Sequence, residues 1–325
     1  MAERFLYPLR FQPLYKSYLW GGRRLAALLG KQLPPDGPWA ECWEIADLGS
    51  EQTCVASGHL QGIALNEVLA RYGRELLGRH YPRPRFPLLL KFLDALQSLS
   101  VQVHPSDALA ARLVPPAAGK TEAWVVLAAE PRSIIYAGLK SGVDRETLAE
   151  AVQRGACQEC LHSFEPAVGD CVFLPAGTVH ALGAGLVVAE IQQPSDITYR
   201  LFDWNRLGPN GRPRQLHVAE ALEAIDYERG PVRPCKPQPG NLPHVSRLVE
   251  CPYFCIERCD FDRPYSLGGD ERFHIVVVLE GEIVVAADTA PVVLERGGVV
   301  LLPASLGRVF LEPLGGASVL DVYLP

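Results

Sequence analysis

The chain has 325 residues, 48% of them hydrophobic and 21% charged, with a formal net charge of −6. This is the composition of a globular protein with a sizeable core and length for about two domains. It argues against broad nucleic-acid binding, which needs a basic face, and no run of about 18 apolar residues offers a membrane span. A few local Lys and Arg residues would still hold a small anion. Residues 1–30 carry Arg4, Arg10, Lys16, Arg23 and Arg24 around no long apolar core, unlike a secretory signal, so the expected location is the cytoplasm.

Taken in chain order, apolar spacing predicts helices over 22–30 (GRRLAALLG) and 63–78 (IALNEVLARYGRELLG). Strands follow at 87–95 (PLLLKFLDA) and 99–105 (LSVQVHP), then a helix at 107–114 (DALAARLV). After the strand EAWVVLAA at 122–129 comes a helix over 144–155, with Asp144 as its cap and Gly155 as its stop. DCVFLPA and GLVVAEIQQ continue as strands. Residues 228–243 hold five prolines in sixteen positions, which no helix or central strand accepts. Beyond this linker, HIVVVLEGEIVV and GVVLLPAS are strand runs. The expected class is mostly β with a few helices, divided into 1–230 and 231–325.

Nine cysteines, an odd number, do not make a secreted disulfide framework. Cys157 and Cys160 form a lone CxxC. On a strand, Cys251, Cys255 and Cys259 would lie about 13 Å apart successively, too far for one metal. In both groups free thiols are expected.

A repeat crosses the linker. VVLAAE at 125–130 resembles VVLEGE at 277–282, and GDCVFLPAGTVH at 169–180 resembles GGVVLLPASLGR at 297–308. The two offsets, 152 and 128, differ by 24 residues, about the size of the helical stretch near 138–162. Two copies of one β unit are implied, the first carrying a helical insert.

SVQVHPSD poses a chemical question. Strand side chains alternate, so Ser98, Ser100, Gln102 and His104 share a face opposite Leu99, Val101 and Val103. That face meets either water or a polar cavity. GDCVFLPAGTVH favours a cavity: a strand ends at Pro175, Gly177 permits a tight turn, and His180 begins the next strand. This pattern resembles the second motif of the cupin superfamily, small jelly-roll barrels. In the second copy the Gly and His positions hold Ser305 and Arg308.

GKTEAW at 119–124 and EIQQPSDITYRLFDW at 190–204 resemble signatures of the type I mannose-6-phosphate isomerases. So do SVQVHPSD, LLLKFLDA, FQPLYKSYLWGG and AECWEIADL. The resemblance covers about residues 10–205 and, more loosely, a degenerate second barrel. Only 58 positions separate Glu122 from His180, as in a short bacterial form lacking a large helical domain.

Gln102, His104, Glu122 and His180 suit zinc or a similar divalent ion, and the resemblance implies one Zn(II) per chain on these four. It also implies phosphate binding by Lys91 with Ser100. Lys120, in phase with Glu122, would lie beside the metal. Asp196 and Arg200, with Thr198, share a face if extended, and Arg binds oxyanions bidentately. Lys120, Asp196 and Arg200 are the candidates for proton handling and enediolate stabilisation in an aldose–ketose isomerisation of a sugar phosphate. Two other classes compete: an Fe(II) cupin oxygenase on His104, Glu122 and His180, and a non-catalytic sugar-phosphate sensor. The oligomeric state is left open.

Overall fold

Strand runs that are apolar on both faces dominate the chain, and such runs must be covered on both sides. A computed structural model, which describes residues 6–208, 211–286 and 291–325, shows how. The chain forms two double-sheet β units of jelly-roll type, every strand pair antiparallel. In the first unit a six-stranded sheet runs Cys171–Leu174, Glu122–Ala129, Leu186–Gln192, Leu89–Ala95, Glu41–Ile45, Leu14–Lys16. Facing it is a five-stranded sheet: Leu161–Phe164, Ile135–Leu139, His180–Leu182, Val101–Val103, Tyr199–Phe202.

The second unit repeats the plan. Val299–Leu302, His274–Glu280, Ala317–Tyr323, Cys255–Phe261, Val245–Glu250 and Gln238–Pro239 follow the same order as the first six-stranded sheet. Its other sheet has four strands: Val292–Glu295, Glu282–Ala286, Arg308–Pro313, Tyr265–Gly268. Both sequence repeats fall on equivalent strands. The expected insert is there too: the Arg145–Gln153 helix lies between Ile135–Leu139 and Leu161–Phe164, where the second unit has a hairpin. Asp144 caps that helix by accepting from the Thr147 amide at 2.8 Å.

The two six-stranded sheets pack through their outer faces. Leu90, Phe92, Val125 and Ile191 join Ile256, Ile275, Val277, Leu320 and Val322 in one core. Phe92 is fully buried there, and cutting it to Ala would cost about 3–5 kcal/mol. Because Leu90 and Phe92 point outward to this core, Lys91 points into the first barrel. On the opposite sheet Val101 and Val103 face out under Leu148 and Leu222 of two helices, which turns Gln102 inward. The alternation seen in the sequence thus directs polar side chains into the barrel.

Three elements differ from expectation. The helix at 107–114 is only Asp107–Ala110, and Pro115 disfavours helical backbone at Val114, the end of the expected span. The strand at 99–105 is confined to Val101–Val103. HIVVVLEGEIVV is two strands turned at Gly281, whose φ of 77° suits glycine. All nine cysteines are free. Among the described residues no helix is long and apolar enough to cross a membrane.

Candidate active site

His180, Gln102 and Arg200 lie in one row across three neighbouring strands, since His180 pairs with Gln102 and Gln102 with Arg200. Directly paired residues project to the same side of a sheet, so this row faces the interior. Glu122 enters from the opposite sheet. His104 follows the short strand by one residue, and its carbonyl accepts from the Gly177 amide at 2.9 Å. That bond ties the two halves of the motif together, and Gly177 has the positive φ (85°) its tight turn requires.

His104, Glu122 and His180 are buried, and one ligand atom from each lies within 4.8 Å of the others. Each imidazole is oriented through its far nitrogen. His104 Nδ1 is 2.7 Å from the Ile197 carbonyl and His180 Nδ1 is 2.8 Å from the Thr178 carbonyl. A carbonyl can only accept, so Nδ1 carries the proton in both rings and Nε2 keeps a lone pair. Those two Nε2 atoms stand 3.4 and 3.3 Å from the Glu122 oxygens. Burial lowers both histidines, with Lys120 adding to it at His104, which falls to about 3. The rings are neutral, as metal ligands must be.

This donor set fits a metal ion. Both Glu122 oxygens are buried without a hydrogen-bond partner of good geometry, although Lys120 Nζ stands 2.7 Å from Oε2. Burial works to raise the Glu122 carboxyl, but Lys120 foremost, then the histidines, outweigh it and hold the carboxyl well below its ordinary range. The Gln102 side-chain amide lies 3.3 Å from His180 Nε2. As placed, the amide NH2 faces that ring's lone pair, and turning the amide brings its oxygen to the centre instead. Two imidazoles, a carboxylate and an amide oxygen are a donor set for zinc or a similar divalent ion.

Next to this centre, reached through Gln102 and Lys120, opens a cleft of about 300 Å³. Lys91, Ser100, Gln102, Lys120, Asp196 and Arg200, all expected at the site, line it together. Ser98 does not; its hydroxyl accepts from the Ala184 amide instead. Asp196 is exposed at the mouth, and Arg200 is half-buried with its Nη1 on the Gln215 carbonyl (2.8 Å) and no partner for Nε.

Sequence reasoning missed Glu41 and Glu190. Lys91 Nζ lies 3.1 Å from Glu41 and 3.2 Å from Glu190, and Lys120 Nζ lies 3.5 Å from the same Glu190 oxygen. Burial acts to lower Lys91, but Glu190 and Glu41 outweigh it and raise it. Burial and then Glu122 raise the Glu190 carboxyl, whose Oε1 has no hydrogen bond while Oε2 accepts from Trp124 Nε1 at 3.0 Å. A signal existed: Glu190 and Gln192 share the inward phase with Lys91 and Glu122 on neighbouring strands. The floor of the cleft thus sets two ammonium groups against three carboxylates. A divalent ion at the histidines reverses that formal excess, which makes the cleft receptive to an anion.

Comparison with known proteins places this geometry. The family model for the phosphomannose isomerase type I catalytic domain matches residues 8–123, and that for the mannose-6-phosphate isomerase cupin domain matches 244–319. The chain is 35% identical to mannose-6-phosphate isomerase ManA of Bacillus subtilis, over 94% of its own length and 96% of that protein's. A mannose-6-phosphate isomerase of Streptococcus mutans is 31% identical, with 94% of each chain covered. The crystal structure of the mannose 6-phosphate isomerase from Bacillus subtilis superposes with a TM-score of 0.89 at 29% identity, covering 98% of this chain and 100% of that one. With near-complete coverage at this identity, and a buried histidine–carboxylate centre next to a polar cleft, the chain belongs to the type I phosphomannose isomerase family.

Proposed function

We propose that the chain interconverts mannose 6-phosphate and fructose 6-phosphate in the cytoplasm, with one Zn(II) held by Gln102, His104, Glu122 and His180. Residues 1–230 would form the catalytic part and 231–325 the linker and companion barrel. One observation carries the reading: a two-histidine, one-carboxylate centre adjoins the cleft that gathers Lys91, Lys120 and Arg200, joined to it through Gln102 and Lys120. An oxygenase has no need of those three cations, and family membership favours an isomerase over an oxygenase or a sensor.

Bound there, the ion would supply Lewis acidity toward the sugar oxygens. The chain's own groups do the rest. Lys91 and Ser100 hold the phosphate, with Glu41 and Glu190 fixing the Lys91 ammonium. The C2 proton must leave beside the C1 carbonyl and a proton must return at C1, through an enediol. Lys120 Nζ and Glu190 Oε1, 3.5 Å apart, form the pair that moves it. Arg200, with an unpartnered buried Nε, meets the charge that develops on the enediolate oxygens. Asp196 at the mouth serves the hydroxyl proton exchanged as the ring opens. The test is metal analysis of protein purified without added metal, followed by a coupled assay in both directions. Metal-replete protein without turnover would reject the reading.

A further inference from the structure

CPYFCIERC, at 251–259, has no role in the metal centre, yet it carries a residue that reaches the first barrel. Phe254 is fully buried against Phe173, with ring centroids 6.3 Å apart. The Cys251 amide donates to the Phe254 carbonyl (3.1 Å), closing a tight turn. This turn projects Tyr253, whose hydroxyl donates to Asp107 Oδ2 at 2.6 Å.

Asp107 is the hub of a small network. Its Oδ1 accepts from the Gly119 amide at 2.8 Å and from Gln193 Nε2 at 3.1 Å. Gln193 Oε1 in turn accepts from the Thr121 amide at 2.9 Å. The amide between them, that of Lys120, donates to the Pro105 carbonyl at 3.1 Å. Three consecutive amides are therefore fixed, two of them through Asp107. Gly119 sits so close that a Cβ there would lie 2.5 Å from the Asp107 nitrogen. No other residue fits this approach. The segment so held is the one that delivers Lys120 into the cleft.

We propose that Tyr253 of the second barrel is a positioning residue for Lys120, acting through Asp107 on the Gly119–Lys120–Thr121 backbone. This rests on the reading of Lys120 as a proton-handling group. It gives the second barrel a part in the reaction without a metal of its own. A reacting group displaced by a fraction of an ångström lowers the rate while leaving ground-state binding nearly intact.

The test is a double-mutant cycle with Tyr253→Phe, Lys120→Ala and the combined variant, zinc content matched. Asp107→Ala runs in parallel, as it removes the whole hub. Tyr253→Phe should lower kcat about 3- to 10-fold and Asp107→Ala about 10-fold or more, each with KM within about twofold of the parent. In the Lys120→Ala background Tyr253→Phe should cost nothing further, because the group it positions is gone. A slow Lys120→Ala enzyme beside a Tyr253→Phe enzyme of normal kcat overturns the proposal alone. Independent, multiplying effects do the same, since they show that Tyr253 acts elsewhere. A Lys120→Ala enzyme with normal kcat overturns the role of Lys120 and the proposal with it.

Discussion

The two barrels hold equivalent rows of residues and use them in opposite ways. Strand register equates His180 with Arg308 and Gln102 with Gly268, and, two residues on, His104 with Asp270. On the facing sheets Glu122 matches His274 and Glu190 matches Asp321. In the second barrel the buried polar groups satisfy one another: His274 Nδ1 meets Asp321 Oδ1 at 2.8 Å, and Nε2 meets Asp270 at 3.1 Å. In the first, two imidazole lone pairs and two carboxylate oxygens converge beside a single ammonium, that of Lys120, 3.1 Å from His104 Nε2 and 2.7 Å from Glu122 Oε2, and neither carboxylate oxygen has a well-formed hydrogen bond. Burial of polar groups is common to both, so burial alone does not mark the site. What marks it is unmet bonding capacity directed at one point, which costs stability unless a ligand meets it. Among the described residues the first barrel also has one strand more. Tyr199–Phe202, without a counterpart, is the strand that brings Arg200.

The sharpest way to break this comparison is to delete a ligand. His180→Ala should lower activity about 10³-fold and strip most of the metal, while thermal melting of the apoprotein changes little. Full metal occupancy with unchanged turnover would remove His180 from the centre. Next in size is Arg200→Ala, on the unmatched strand. Loss of a charge-stabilising donor predicts a fall in kcat of about 10²-fold with metal content intact. A rise in KM alone would assign Arg200 to the phosphate instead.

How much of this was legible in the sequence depends on range. His104 and Gln102 are two apart on a strand, and His180 closes a turn motif, so period and spacing expose them. Glu122 and Lys120 add to them by phase. Glu190 shares its phase with Gln192, but that signal gains meaning only once strand pairing sets Glu190 beside Lys91 and Gln192 beside Glu122. The clamp on His274 was out of reach: Asp321 is 47 positions away, and Tyr253 is 146 from Asp107. Pairings across such distances are set by sheet order and by the stacking of the two barrels, and no local pattern encodes either.

The second barrel's own prediction concerns pH. Burial works to lower His274, yet Asp321 and Asp270 outweigh it and raise it to about 9. A group raised in the folded state stabilises fully below its unfolded value, near 6.5, and loses that contribution as pH climbs through the folded value. The window is thus about pH 6.5 to 9, and the amount on the order of 3 kcal/mol at 1.36 kcal/mol per unit. His274→Gln should melt well below the parent at pH 6.5 and approach it by pH 9.5, with metal still bound and turnover retained below the melt. Melting curves of both proteins at the two values isolate the clamp, because titrations away from His274, Asp270 and Asp321 are common to them. An equal gap at both pH values would show that the lost contribution is packing and not charge.

The smallest effect is expected at Arg308, where the comparison between barrels is most direct. It occupies the place of His180, but it is exposed, and its paired neighbour Gly268 brings no side chain. The remaining positions, Asp270 and His274, are already bonded to each other. Removing Arg308 therefore takes no ligand away and leaves no buried charge unpaired. Arg308→Ala should keep kcat and metal content within about twofold and stability within about 0.5 kcal/mol, the ordinary range for an exposed substitution. The informative companion is Arg308→His, which restores the imidazole in sequence. It should still bind no second ion, because releasing His274 from its two carboxylates means breaking a buried ion pair, which costs about 3–5 kcal/mol. Metal analysis giving two ions per chain in Arg308→His would show that the clamp does not prevent a metal from binding in the second barrel.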